Sequence, residues 1–556
     1  MSIEGKMTSK SYIVAARTTK TLCKTLPEVI RVHKEKFPDS EAFVFFTSEM
    51  ERTSMTWKEL YVGSENFARS LFRLGVKPKD KVAISGPNCP SWLFATFGSM
   101  MVGAIPADVT FGYSDGSDVI ALLQKMDNVS TFILHPGFHD QNWKIFKAFL
   151  TELDSQGNIK CDQVPSLKHL VFMAKSEDET DMLLVEDLAK IYLSTDNPLP
   201  NVDSDNVAFL FQTSGSTGMS KLVAHSHCSL SYFLSNVYGE CITERYNDQS
   251  FGCISGFPFE VVTGIKRVTG WFTKEEYDPF EGMIKAVQKE RCSVIYMLPP
   301  TVQRLLDSKE SLPADWPVKT IACSGQPISS YFASVIGTVS ETFLAVYGAT
   351  ESFQCCRKVV SNPNEFKDFN CGKPTNGVEV KIVDDEGNIT PINTRGEIYV
   401  RSQHTFKCYV NDPEGTSRVK TENGWYKTDD IGYIDENGEV FAEGRKSDVI
   451  ISGGINVIPT ILEAVLSSLH GVKDVIVVPI PHPVMYQVIC ACVIPEPGSE
   501  LTEEKLRGLC EKKYMDKFRS FTVVPTHYIL YEEFPKSRSG KTDRKKLMIE
   551  AHERFQ

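Results

Sequence analysis

The stretch Val207-Ala208-Phe209-Leu210-Phe211-Gln212-Thr213-Ser214-Gly215-Ser216-Thr217-Gly218-Met219-Ser220-Lys221 joins an apolar run to a loop of glycines and hydroxyls. Val207 to Gln212 has the aromatic and β-branched bias of a buried strand. In the loop, Gly215 and Gly218 let backbone N–H groups turn inward without a side chain in the way. Thr213, Ser214, Ser216, Thr217 and Ser220 add hydroxyl donors. Such a donor array suits a triphosphate, and Lys221 adds a positive charge. The G-x-x-x-x-G-K-S/T spacing of a Walker A loop is absent and Leu222 follows the lysine, which disfavours an ordinary P-loop NTPase. The competing reading of these residues is a polar turn between two strands.

Outward from this stretch, strand-like and helix-like segments alternate. Leu60 to Leu74 predicts an amphipathic helix ended by Gly75, and Lys81 to Ile84 and Thr131 to Leu134 predict strands. Val82 to Ala107 carries no charge, but Pro87, Asn88 and Pro90 interrupt it. The remainder, Ser91 to Ile105, falls short of the ~20 residues a bilayer requires, so a buried helix is predicted. This alternation predicts an α/β fold with stacked, mostly parallel sheets. From Gly396 the texture changes. Gly396 to Arg401 alternates at period two, and the turns at Asp435-Glu436-Asn437-Gly438 and Gly453-Gly454 predict antiparallel hairpins, read here as a β-barrel-like subdomain. The C-terminal part predicts a small α+β unit, with helices at Pro459 to Leu469 and Thr502 to Lys513 and strands at Val475 to Pro479 and Val488 to Ile494. The expected division is an N-terminal extension over 1–25, a large domain over 26–443, a hinge over 444–448 and a small mobile domain over 449–556.

A chain of 556 residues has room for more than one core. Its 60 basic and 71 acidic residues leave a net charge of −11, which argues against nucleic acid as a partner. The cysteines show no C-x-x-C pair and there is no secretory signal, so reduced thiols are expected. His225-x-His227 is the one tight histidine pair, without an obvious set of further metal ligands. Met1 to Leu26 has one arginine, Arg17, and reads as a frayed extension rather than a mitochondrial transit peptide. The terminal Arg554-Phe555-Gln556 is not the S-K-L peroxisomal address, which leaves a cytoplasmic setting, with a mitochondrial one as the alternative.

Five further segments follow the glycine-rich loop in order. They are Ser324-Gly325-Gln326-Pro327; Val346-Tyr347-Gly348-Ala349-Thr350-Glu351; Gly424-Trp425-Tyr426-Lys427-Thr428-Asp429-Asp430; Gly444-Arg445 through Gly453-Gly454; and Pro535 through Gly540-Lys541 to Arg544. Together with the loop they resemble the adenylate-forming superfamily of acyl-CoA synthetases, luciferases and peptide-synthetase adenylation domains, most closely an acyl-CoA synthetase. The resemblance runs from about Leu26 to Leu547. It implies that a carboxylate attacks the α-phosphate of ATP to give acyl-AMP and pyrophosphate, and that coenzyme A then takes the acyl group. Mg²⁺ is the implied metal.

On its own chemistry, Tyr347 can stack on adenine with Gly348 permitting close approach. Glu351 is a carboxylate suited to a hard cation, and Thr350 can bond a phosphate or the reacting carboxylate. The resemblance assigns Gly325, Gln326 and Pro327 to the adenine side, Asp430 and Arg445 to the ribose, and Gly453 and Gly454 to the thiol-entry side. It assigns Lys541 as the mobile cation bridging carboxylate and α-phosphate, a task that suits a compact charge on a long stem. Rotation of the small domain would withdraw Lys541 between the two steps.

Several positions depart from the family pattern. Leu222 and Asp429 stand where glycines are usual, Ser447 replaces the hinge Asp or Lys, and Ile461 replaces a common Glu. At the acyl pocket a usual Phe-His pair becomes Pro258-Phe259-Glu260-Val261-Val262-Thr263-Gly264, and the stretch from Gly264 to Asp278 looks shortened. Phe259, Val261, Val262 and Met297 are candidates for an apolar tunnel or plain core. Glu260 is a candidate partner for a substrate amine or a surface acid. The leading expectation is a fatty or aryl acyl-CoA synthetase. A luciferase-like or amino-acid-adenylating enzyme and a nucleotide-binding pseudoenzyme stand as alternatives, although retention of Lys541, Glu351, Asp430 and Arg445 argues against the last.

Overall fold

The computed structural model describes all residues except 1–9, 16–23, 112–114, 138–139, 180, 192–197, 214–220, 233–243, 272–276, 453–454, 483–485, 518–523, 538–540 and 556. Two large sheets and one small sheet organise the chain. The largest has fourteen strands. Its parallel centre runs Glu41–Thr47, Lys266–Trp271, Glu244–Asn247, Val294–Met297, Thr320–Cys323 and Thr342–Ala349. Beyond Thr342–Ala349 the strands turn antiparallel, through Phe353–Val360, Asn370–Pro374, Val440–Arg445, Tyr426–Ile434, Gly396–Arg401 and Glu379–Val383. The hairpins expected to form a barrel-like subdomain are thus a continuation of the open sheet, and no closed barrel occurs among the described residues.

The outer edge of that continuation is Tyr12–Val14, antiparallel to Glu379–Val383. Tyr12 Oη donates to Glu379 Oε2 at 2.6 Å and Ser11 Oγ to Pro391 O at 2.7 Å. The frayed extension expected from composition is therefore tied down at these residues, because an open sheet edge offers unpaired backbone groups to any nearby strand.

A seven-stranded sheet carries Cys408–Tyr409, Lys221–Ser226, Val207–Thr213, Ile105–Asp108, Lys81–Ser85, Val129–Leu134 and His169–Phe172. Val207–Thr213 and Lys221–Ser226 are antiparallel, with Thr213 opposite Lys221, so the glycine-rich loop spans a hairpin. The helices Trp57–Arg73 and Pro90–Met101 pack together in the main core with Trp57, Phe67, Trp92 and Phe97. Thr56 and Glu59 form a reciprocal capping box at the start of the first helix. A Cβ on Gly98 would come within 2.7 Å of the Phe67 ring, so the missing side chain sets the helix separation. The uncharged segment is this buried helix, and among the described residues no helix is long and apolar enough to cross a membrane.

The five-stranded sheet draws on the chain from Ile450 onward: Ile455–Val457, Ile450–Ser452, Tyr486–Pro495, Val472–His482 and His527–Leu530. Helix Pro459–Ser467 supplies Leu462 and Leu466 to its own apolar core. Cysteines such as Cys253, Cys323, Cys490 and Cys492 are free, whereas Cys228 is disulfide-bonded, which departs from the expectation of reduced thiols throughout.

Candidate active site

The strand ends of the large sheet and the C-terminal unit meet at Gly325. Lys541 Nζ donates to Gly325 O at 3.2 Å, across 216 positions of sequence. Gly325 has φ +96°, a conformation that L side chains resist, and its exposed carbonyl follows strand Thr320–Cys323 directly. Part of the Lys541 side chain reaches solvent. Burial of its ammonium nevertheless lowers its pKa below the ordinary lysine value, with Arg445 pushing the same way and Cys253 opposing.

Arg445 and Asp430 face each other across two antiparallel strands. Arg445 Nε lies 3.0 Å from Asp430 Oδ1, and Arg445 Nη1 donates to Thr428 O at 2.7 Å. Tyr347 Oη donates to Asp430 Oδ2 at 2.7 Å. Burial raises the Asp430 pKa, with the Arg445 charge and the Tyr347 bond offsetting it. Asp429, where the family has glycine, sits at φ +62°, in the left-handed region that Asp tolerates better than most residues. Gly348 serves a closer contact than adenine: a Cβ there would meet Phe353 O at 1.9 Å within the hairpin.

At the other side, Tyr409 Oη donates to Glu351 Oε1 at 2.7 Å, and Lys221 Nζ stands 4.5 Å over the Tyr409 ring. Glu351 thereby links to the end of the glycine-rich loop. No other donor among the described residues takes its carboxylate, leaving oxygen lone pairs for a cation. No cluster of three or more ligating side chains exists among the described residues, so a metal here would rely on Glu351, phosphate oxygens and water. That donor set fits Mg²⁺, which keeps several waters and binds through few carboxylates. Thr350 O accepts from His225 Nε2 at 2.7 Å, and a carbonyl only accepts, so Nε2 carries the proton. Burial lowers the His225 pKa to about 4 and keeps the ring neutral. His227 turns away, with Nδ1 accepting from Leu26 N at 3.2 Å, so the two histidines do not converge on a metal.

The acyl-pocket expectations fare differently. Glu260 is 2% exposed, accepts from Asn247 Nδ2 at 3.0 Å, and lies 3.5 Å from Arg245 Nη1 and 3.6 Å from Arg267 Nη1. A carboxylate so enclosed is neither a surface acid nor free to meet a substrate amine. Val261 packs in the main core, and a Cβ on Gly264 would press on the His33 ring. Met297 belongs to the core on the helix-covered face of the sheet, whereas its neighbour Tyr296 faces the opposite side. Phe259 packs in the main core with Val261, with the Arg245 guanidinium 4.7 Å over its ring. Ser214, Gly215, Ser216, Thr217, Gly218, Gly453 and Gly454 lie outside the described residues. Sequence reading missed Tyr409, His225 as the partner of Thr350, and Arg245. The His225-x-His227 pair drew notice only as a spacing without further metal ligands, not as a partner of Thr350.

The sequence model of the AMP-binding enzyme family matches residues 30–410, and that of the AMP-binding enzyme C-terminal domain matches residues 462–541. A mitochondrial medium-chain acyl-CoA ligase of Danio rerio is 26% identical, over 97% of this chain and 90% of its own. A putative acyl-CoA synthetase of Bacillus subtilis is 25% identical, over 96% of this chain and 98% of its own. The crystal structure of an anthranilate CoA ligase with anthranoyl-AMP superposes with a TM-score of 0.79 at 19% identity, covering 96% of this chain and 98% of that one. The chain belongs to the AMP-binding enzyme family. Within it, the chain is an AMP-forming acid–thiol ligase of the acyl-CoA synthetase kind, using ATP, Mg²⁺ and coenzyme A.

Proposed function

We propose that Lys541 is the cation that brings the acid's carboxylate and the ATP α-phosphate together, and that Tyr347, Asp430, Arg445 and Glu351 position the nucleotide around it. The observation that carries this reading is the Lys541–Gly325 bond, which brings a residue of the small unit to the strand ends of the large one. The Asp430 carboxylate, braced by Arg445 and Tyr347, can accept from ribose hydroxyls. Tyr347 presents an aromatic face to adenine beside Gly325, Gln326 and Pro327. Thr213, Lys221 and the loop between them cradle the phosphates, and Thr350 orients the oxygens beside them. When bound, Mg²⁺ supplies charge neutralisation at the phosphates, held by Glu351. Attack on the α-phosphate concentrates negative charge, which a preorganised ammonium stabilises.

The large unit over 26–443 and the small one over 449–556 turn about 444–448 between the two steps, which removes Lys541 and brings Gly453 and Gly454 to the thiol. The acyl substrate is a fatty or aryl acid, and the setting cytoplasmic, with a mitochondrial one as the alternative. No nucleic-acid partner is part of this reading. The experiment is acid-dependent pyrophosphate–ATP exchange over a panel of acids, with and without coenzyme A. Exchange lost in Lys541→Ala, with thioester formed only when coenzyme A is added, is the expected result. Exchange that survives Lys541→Ala would overturn the assignment.

A further inference from the structure

One face of the parallel strands is covered by helices and apolar. The other carries Arg245, Asn247, Arg267, Thr269, Tyr296, Ala322 and Leu344, since the pairings Arg245–Arg267, Asn247–Tyr296, Tyr296–Ala322 and Ala322–Leu344 place each pair on one side. At the end near Lys541 this face is small and apolar, with Tyr296, Ala322, Leu344 and Val346. At the other end it is cationic. Tyr296 joins the two: its hydroxyl shares a hydrogen bond with Ser324, next to Gly325, and its ring lies 4.9 Å from the Arg245 guanidinium. Gly325 O accepts from Lys541 Nζ, so the lysine and this ring share one neighbourhood.

The two arginines are not equivalent. Arg267 donates to the backbone carbonyls of Asn247, Gln249 and Gly256, so each of its three nitrogens has a partner. Asp248, a second acid of the cluster, is linked electrostatically to Arg267. Arg245 is 5% exposed and stacks on Phe259 and Tyr296, yet its Nε has no hydrogen-bond partner among the described residues. Its ion pair with Glu260, at 3.5 Å, is shared with Arg267. A buried guanidinium with idle donors is costly unless something completes it.

Resting on the ligase reading above, we propose that the acid this enzyme activates carries a second anionic oxygen group at the end remote from the reacting carboxylate, and that Arg245 receives it. The reacting carboxylate lies by Lys541, the connecting carbons run from Ala322 along Tyr296, and the distal carboxylate meets the Arg245 edge beside Tyr296. Planar, bidentate recognition of carboxylate is the task for which arginine's fork suits better than lysine.

The test is pyrophosphate–ATP exchange with matched pairs of probes: straight-chain monocarboxylic acids against α,ω-dicarboxylic acids of the same carbon number, and benzoic against benzene-dicarboxylic acid. The intact enzyme should favour the diacid member of at least one pair by about a hundredfold or more in kcat/KM, the range typical of a site built around a polar partner. Arg245→Met keeps the stem and leaves Glu260 with Asn247 and Arg267, and should collapse that ratio toward one. Arg245→Lys should retain part of it. A wild-type ratio at or below one in every pair would overturn the inference while leaving the ligase reading intact, and needs no variant to fold. A preference for diacids that Arg245→Met does not alter would overturn the assignment to Arg245. No exchange with any acid would overturn the ligase reading itself and this inference with it.

Discussion

Tyr409 and Glu351 are joined by a 2.7 Å hydrogen bond from the phenol to the carboxylate, although 58 positions separate them. The bond orients the carboxylate that holds the metal in the proposed mechanism, and the same ring bears Lys221. Tyr409→Phe keeps the ring and removes the bond. A neutral-to-charged hydrogen bond of this kind contributes ~1.5–3 kcal/mol, or roughly tenfold to a hundredfold. The expected outcome is a higher Mg²⁺ requirement for pyrophosphate exchange with little change in acid KM, read from exchange rates over a magnesium titration.

Lys541→Ala should lower acyl-AMP formation by about 10²–10³ in kcat, the usual effect of removing one preorganised donor. Conversion of supplied acyl-AMP to thioester should be much less affected, because the proposed rotation has already withdrawn this lysine. Single-turnover assays of the two half-reactions separate these outcomes. Equal losses in both would count against the assigned role.

The pH dependence follows from the lowered Lys541 pKa. The ammonium is the active form, so activity falls as pH rises through that value. The alkaline limb of kcat/KM for adenylation should therefore lie below the ordinary lysine range, since kcat/KM reports the free enzyme. Lys541→Arg, which does not lose its proton in water, should abolish that limb while retaining reduced activity.

His225 makes a separate statement about stability. Its folded-state pKa is about 4 against an ordinary 6.5, because burial disfavours the cation. Below pH 6.5 the unfolded chain takes a proton that the folded chain refuses, so stability is complete above 6.5 and falls as pH drops toward 4. The loss amounts to ~3 kcal/mol as an order of magnitude. His225→Gln can still donate to Thr350 O and does not titrate. Urea midpoints measured across this window should fall less steeply with acid in the variant than in the wild type.

Asp430→Asn weakens the partner of Arg445 and of the Tyr347 hydroxyl at once. ATP affinity should drop about tenfold to a hundredfold, measured by calorimetry on the acid-free enzyme, since a buried charged hydrogen-bond partner is worth ~1.5–3 kcal/mol. An unchanged affinity would remove Asp430 from the ribose site.

Much of this architecture is legible residue by residue. The period-two run at Gly396 to Arg401 is a strand with those bounds, and the apolar stripe from Leu60 lies in helix Trp57–Arg73. These readings succeed because side-chain periodicity follows directly from backbone geometry. The barrel-like subdomain fails for the converse reason: periodicity identifies strands but not where a sheet opens or closes. The idle N-terminus fails because a strand at an open edge is recruited by its neighbour, whatever its own composition.

Glycines, hydroxyls and the ordered motifs from Thr213 to Lys541 point to the family, because each motif draws on residue types that stand close together in sequence. Contacts between distant residues belong to the tertiary structure alone. Glu260 reads as a substrate partner or a surface acid until Arg245 and Arg267, from two adjacent strands, enclose it. Met297 reads as a tunnel or core candidate until strand alternation puts it in the helix-covered core and its neighbour Tyr296 on the opposite face. Lys541 reaches Gly325 only because the chain folds back across 216 positions to bring them together. A side chain's type determines which partners it can accept, but burial and packing decide which partner it has.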